Sequence, residues 1–542
     1  MKGDEPIGLL AIGYVTLSRC FRLLVAARSG THSLAQSFQV GQVSTTPFPE
    51  IHPGMEKGLA EVARRAWSLT RSLDSRTETS HALALPALLQ MTGTNLAART
   101  SAWLEHVSAT QAGLDTIQAE IDARCFDLYG IDEVDRRSMT KGFGTDAPPP
   151  RTSEHGVDDD NEDGDASDSP ADAASLADEL VSWATGIAFG RFDVRLATGA
   201  RALPAEPGPF DPLRACSPGM LVGDEGMPPS RSPVGYPLAF HETGVLVHDA
   251  GHANDLTAAV RRVFDVVLGT DADRWWDEVA SRLDPKGQDL RAWLAGDFFE
   301  RHIKQYSKSR RKAPIYWQLA TPSAKYAVWV YYHRISKDTF YRVLEFVGPK
   351  VQHEDHKLTS MRQEAGPNPT ASQRKELAAQ EEFLDELRAF QEEVARIAPL
   401  WNPNLDDGVI INFAPLWRLV PQHKAWQREV RACWDRLVAG EYDWSHHAMH
   451  LWPERVVPKC RTGRSLAIAH GLEERLWEEG TDGKWRVRTV KAAEIDALIK
   501  ERTSSTVKDA LEKLLNTPGT IGTKASGVKK GAKARSRSGK TE

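Results

Sequence analysis

From Gly142 to about Pro170 the chain has almost nothing with which to build a core. Pro, Gly, Asp and Ser dominate there, and such a stretch cannot bury enough surface to offset the entropy of ordering its backbone. It reads as a disordered acidic linker over 142–175. A chain interrupted in this way folds as separate bodies. Its 542 residues point the same way, because single cores stop growing at about 250–300 residues.

The formal charge of −6 averages two opposite extremes. Residues 151–172 hold nine carboxylates and one cation, Arg151, whereas 517–542 hold seven Lys or Arg and one Glu. The overall balance therefore says nothing about partners. The longest apolar stretch, near the N-terminus, is interrupted by Arg19 and Arg22, well short of the roughly 20 residues a membrane span requires. No membrane is expected among the partners, and the Ile7 to Leu17 run reads as interior structure. Five cysteines, Cys20, Cys125, Cys216, Cys433 and Cys460, are widely spaced and form no CxxC pair. That usage suits a reducing, cytoplasmic compartment rather than a disulfide framework or zinc ribbon.

Periodicity supplies the rest of the organisation. Leu59, Val62, Ala63, Trp67, Leu69 and Leu73 share one helical face over 55–76, and Trp103, Leu104, Leu114, Ile117, Ile121 and Leu128 repeat that pattern over 96–129. Residues 176–350 read as a mixed α/β block, with helices near 257–268 and 288–303, β-type runs at 244–248 and 327–331, and Pro and Gly loops over 204–237. Leu377, Leu384, Leu387, Val394 and Ile397 recur at coiled-coil-like spacing, predicting a helical arm over 351–399 that pairs with another helix. A Trp-rich domain over 400–516 ends in an amphipathic helix at 507–515, and 517–542 reads as a disordered basic tail. The expected fold class is α+β, multidomain and mainly helical.

Several devices for chemistry are missing from the sequence. No Gly-rich cofactor turn follows a first strand, and no Asn/Asp-Pro-Pro-aromatic loop is present to grip a flipped adenine. The nearest string, Asn402-Pro-Asn404, lacks the second proline and the ring. No phosphate loop, HExxH helix or GxSxG elbow occurs either. The run from Asp159 resembles half a calcium loop, but its twelfth position is Pro170. His241, His248 and His252 form one group at metal-like spacing, and His446, His447, His450 and Cys460 form another. Without a Cys pair or a carboxylate at helical spacing, both read as packing and hydrogen-bonding residues. No catalytic, cofactor-binding or metal-ligating residue is assigned.

The strongest binding signal is 301–312, where Arg301, Lys304, Lys308, Arg310, Arg311 and Lys312 fall together with no acid among them. Tyr316 and Trp317 come next. Cations neutralise phosphates and aromatic faces stack on bases, so these eight residues are the candidate DNA-binding set. The competing reading makes the aromatics core and the cations a solvated face. The basic tail from Lys529 to Arg537 is a second phosphate-seeking element.

Particular strings resemble the C-terminal half of the adenine-specific DNA methyltransferases of BREX phage-resistance systems, in the type 2 form related to the phage-growth-limitation methyltransferase. They are Gly30-Thr-His-Ser-Leu-Ala-Gln-Ser-Phe-Gln-Val-Gly-Gln-Val43 with Thr46-Pro-Phe-Pro49, Glu78-Thr-Ser-His-Ala82, Ala188-Phe-Gly-Arg-Phe192 and Val245-Leu-Val-His-Asp-Ala-Gly-His252. Further along come Ala313-Pro-Ile-Tyr-Trp317, Leu405-Asp-Asp-Gly-Val-Ile-Ile-Asn-Phe-Ala414 and Leu451-Trp-Pro-Glu-Arg-Val456. In the wider group, which includes fused restriction-modification enzymes, a segment like 30–49 resembles the end of a target-recognition lobe leading into spacer helices, here 1–141. The resemblance implies a part without its motor: S-adenosylmethionine belongs to a catalytic portion that has no counterpart here.

The expected function is thus a non-catalytic, DNA-engaging and scaffolding portion of such an enzyme, encoded as a split or truncated protein. Its expected partners are double-stranded DNA and a methyltransferase chain or other BREX proteins. Two other readings stand beside it: an assembly component of a defence complex that binds no DNA, and a nuclease using Asp406 and Asp407 for magnesium. Locally, Asp406-Asp407-Gly408 reads as a tight turn opening a strand over 409–413, and Gly251 as a turn before a helix capped by Asn254 or Asp255.

Overall fold

A computed structural model describes residues 7–29, 40–142, 172–308 and 311–517. The chain divides into two units, one built from 1–242, 257–294 and 308–310, the other from 243–256, 295–307 and 311–542. The division runs through the expected 176–350 block rather than along its edges. The fold class is α+β, mainly helical, with small antiparallel sheets.

In the first unit the two periodic faces are helices Pro53–Asp74 and Leu96–Leu128. The second starts where the Asn95 side chain accepts the Ala98 N–H, satisfying a donor the first turn leaves free. Helix Ile7–Thr16 turns Leu10, Tyr14 and Val15 onto Leu59, Val62, Ile117 and Ile121. The N-terminal run is therefore interior on one face, while Ile7, Leu9 and Ile12 remain exposed. It meets helix Arg19–Ser29 at a 65° bend, and no single described helix is long and apolar enough to cross a membrane.

Helix Ala173–Ala188 is the centre of this unit. Asp172 caps it, and from Leu176 to Ala188 every residue except Glu179 is buried. A helix buried all round must be enclosed by neighbours, and Ala87–Gln90, Leu96–Leu128 and Ala272–Leu283 pack against it. Its start at Ala173, and helix Glu133–Gly142 before the gap, move both expected edges of the linker inward. Residues 143–171, including the calcium-like run, lie outside the described residues.

The second unit holds strands β1 (Val245–His248), β3 (Arg311–Lys312), β4 (Tyr316–Ala320) and β5 (Ala327–Tyr331), while β2 (Ser307–Lys308) has its Lys308 in the first unit. The main sheet has the order β1-β5-β4, antiparallel throughout, with Val245 opposite Val330 and Tyr316 opposite Tyr331. Every residue of β4 and β5 is buried, so both faces of the sheet are covered. β2 and β3 form a separate two-stranded ladder, and β6 (Trp477–Glu479) pairs with β7 (Trp485–Val487). Gly251 has a φ of 86° in the turn after β1, and the next helix begins at Leu256, directly after Asp255.

The helical arm begins earlier than expected, as a hairpin of helices Thr339–Ala365 and Ala371–Ile397. Thr370 and Gln373 form a capping box at the second helix. Gln380 donates to the Glu354 carboxylate at 2.8 Å, and Arg388 pairs with Asp355 at 2.7 Å across the two helices. The segment 409–413 corrects the sequence reading: it is helix Val409–Phe413, not a strand. Gly408 does adopt the left-handed φ of 87° expected of it. Helix Ser505–Leu515 closes the described chain, and all but Thr517 of the expected tail lies outside it.

Candidate nucleic-acid interface

The cation run begins on helix Phe298–Gln305, where Phe298, Phe299, His302 and Ile303 face inward and Lys304 faces solvent. His302 anchors the chain beyond that helix. Its Nε2 accepts the backbone N–H groups of both Ile315 and Tyr316 at 3.1 Å, so that nitrogen carries the lone pair and the buried ring is neutral. The ring stacks on Tyr316 with centroids 4.8 Å apart. The Ala313 N–H donates to the Tyr306 carbonyl at 2.9 Å, closing the base of the β2–β3 hairpin. The connection therefore carries Arg311 and Lys312 on a short strand anchored by aromatic packing.

Along 301–312 the cations differ. Arg311 is exposed. Arg301 donates to the Gln305 side chain at 3.1 Å. Lys304 pairs with Glu300 at 3.0 Å, with side-chain exposures of 75% and 63%. Lys312 reaches Glu429 at 2.9 Å, where both side chains are about half as exposed, 40% and 35%. The Lys308 side chain and all of Arg310 lie outside the described residues.

Tyr316 and Trp317 leave the candidate set. Both are fully buried in β4. Trp317 stacks on Phe413 with centroids 4.3 Å apart and rings 16° from parallel, and its indole N–H donates to the Pro314 carbonyl at 3.0 Å. A ring enclosed on both faces has none to offer a base. The adjacent Tyr316 and Trp317 point to opposite faces of β4, and both faces are covered, the pattern of a nearly continuous buried run.

The strings behind the family resemblance mostly build buried polar hubs. Glu78 and Arg191, from two different strings, pair at 2.5 Å with side chains only 7% and 11% exposed, and Glu78 also accepts the Ser182 hydroxyl at 2.6 Å. Beside them Arg76 pairs with Glu179 and lies over the Trp103 ring. Burial pushes the Glu179 carboxyl up to about 6 against the pull of Arg76, with Glu78 adding to the rise. In the second unit Asp249 receives Lys350 at 2.7 Å.

The Leu405 to Ala414 string makes the densest hub. Asp407 is buried and accepts the backbone N–H groups of His446 and His447 at 2.7 and 2.8 Å, and the His446 ring nitrogen Nδ1 lies 3.0 Å away. It thus caps helix His446–Leu451 from a distant segment. Asn412 donates to the carbonyls of Asn404 and Gly408 and to the Tyr332 hydroxyl, and accepts the Asn404 N–H. With its oxygens engaged this way, Asp407 is a structural cap. His447 is wholly buried, and among the described residues neither of its ring nitrogens has a hydrogen-bond partner. Burial, reinforced by His450, pulls it down to about 3.

No cluster of three or more metal-ligating side chains occurs among the described residues, in either histidine group or elsewhere. All five cysteines are free. Sequence reasoning missed Glu429 because its partner Lys312 is distant in the chain and nothing local marks the pair. Comparison with protein-family models finds no match, and comparison with curated proteins finds none.

Proposed function

We propose that this chain is a non-catalytic, DNA-engaging scaffold of a BREX-type adenine methyltransferase system, acting beside a separate chain that carries the S-adenosylmethionine chemistry. The observation that carries the DNA-engaging part is the cation ribbon of 301–312, held on an aromatic core and free of acids along its own length. With Tyr316 and Trp317 withdrawn into the sheet, its contacts are to phosphates, which position a duplex without reading its sequence. The scaffolding part rests on the resembling strings, in which Glu78, Arg191, Asp407 and Asn412 tie distant segments together through buried hydrogen bonds and ion pairs.

Charge reversal tests the reading. Changing Lys308, Arg310, Arg311 and Lys312 to Glu lowers duplex affinity and flattens its dependence on salt, because each lost phosphate contact removes about 0.9 from the logarithmic slope. Unchanged affinity and slope remove the site.

A second reading, assembly without DNA binding, has its own observation. Between Thr198 and Gly244 there is no helix or strand, yet Leu203, Phe210, Leu213, Met227 and Val234 stand exposed along the loop. Long loops of this kind are commonly functional, and this one offers exposed apolar side chains to a partner. Gel shift and pull-down with the cognate methyltransferase chain, on one preparation, separate the two.

A further inference from the structure

We infer that Glu429 is an intramolecular decoy for phosphate that sets the strength of the cation ribbon, an inference that rests on the DNA-engaging reading above. Lys312 Nζ lies 2.9 Å from Glu429 Oε2, the distance at which it would meet a phosphate oxygen. Glu429 stands on helix Lys424–Ala439, whose Trp426 packs against Trp317 of β4. The carboxylate is therefore held on the same aromatic core as the ribbon and does not drift away when Lys312 moves.

A duplex approaching the ribbon meets a lysine already occupied. While Lys312 stays paired with Glu429 it makes no phosphate contact, and it could form one only by giving up that ion pair. At about 4 Å in water a unit charge pair is worth about 1 kcal/mol, which corresponds to about a five-fold change in affinity. Glu300 provides an internal comparison. Its pair with Lys304 is the more solvated of the two, and exposed pairs on one helix contribute little. The two acids therefore differ in effect although they sit at almost the same distance from their lysines.

The test uses the full chain and a fluorescently labelled duplex oligonucleotide, titrated by anisotropy over a salt series. Glu429→Gln is expected to tighten binding about five-fold at low salt and to steepen the logarithmic salt slope by about 0.9, one additional phosphate contact. Glu300→Gln is expected to change affinity less than two-fold. In a Lys312→Gln background, adding Glu429→Gln is expected to have no effect, because the decoy has lost its lysine. Both members of the pair are partly exposed, so the variants keep their fold.

Equal affinity and slope for wild type and Glu429→Gln, with wild type still bound through Lys308 and Arg311, overturns the decoy and leaves the DNA-engaging reading intact. A full gain that persists in the Lys312→Gln background also overturns it, since simple repulsion between Glu429 and DNA then explains the gain. Absence of binding by every variant overturns the reading and the decoy together.

Discussion

The Glu78–Arg191 hub of the first unit and the Asp407–Asn412 hub of the second both tie together segments far apart in the chain, but they are built from different chemistry. The first is ionic, with two arginines and two carboxylates, Arg76 over the Trp103 ring and Arg191 over that of Phe192. The second uses one carboxylate as a helix cap, an amide that satisfies three backbone groups, and a neutral buried histidine beside them. Buried charge resists the loss of a partner, whereas a neutral hub resists the gain of a proton. The two units should accordingly respond in opposite directions to acid.

The largest expected effect comes from breaking the ionic hub. Arg191→Ala leaves Glu78 buried without its cation and should cost about 3–5 kcal/mol. Hydrogen exchange read on peptides of the first unit should show the loss, with the second unit unchanged. Asp407→Ala removes the acceptor for two helix N–H groups and should cost about 2–3 kcal/mol, read on peptides around 443–452. Equal sensitivity of both units to either change would dissolve the contrast between them.

Acid sharpens it further. His447 has its pKa lowered from an ordinary 6.5 to about 3, so the stability it contributes is complete above 6.5 and is lost progressively as pH falls from there towards 3. Between pH 7 and 5 the second unit should lose about 2 kcal/mol, and His447→Phe should remove that loss. Glu179 runs the other way. Its pKa is raised from 4.5 to about 6, so its contribution is complete below 4.5 and is lost as pH rises through 6. The first unit should gain about 1 kcal/mol over the same interval, and Glu179→Gln should flatten the profile.

How much the sequence disclosed depends on the range of each interaction. Helices Pro53–Asp74, Leu96–Leu128 and Ala371–Ile397 were legible because an apolar period of 3.6 or 3.5 residues is a local signal. Gly408 was legible as a turn, yet the apolar run after it was not legible as a helix. Five residues of Val, Ile, Asn and Phe fit either state, and Pro415 together with the packing of Ile411 and Phe413 decides for the helix. Arg301 and Lys304 were legible only as members of a cation run, and the helix expected near 288–303 extends to Gln305 and carries both of them. Tyr316 and Trp317 were misassigned because aromatics beside a cation run look alike on a binding platform and inside a doubly covered sheet. The Glu78–Arg191 and Lys312–Glu429 pairs join residues more than a hundred positions apart, and no periodicity reports such pairings.

If the 301–312 ribbon, and not the sheet behind it, meets DNA, hydrogen exchange of the full chain with and without saturating duplex reads this directly. Slowed exchange in peptides covering 301–313, with 323–331 unaltered, is the predicted result. Slowing confined to other peptides, or no slowing under conditions of proven binding, would contradict it.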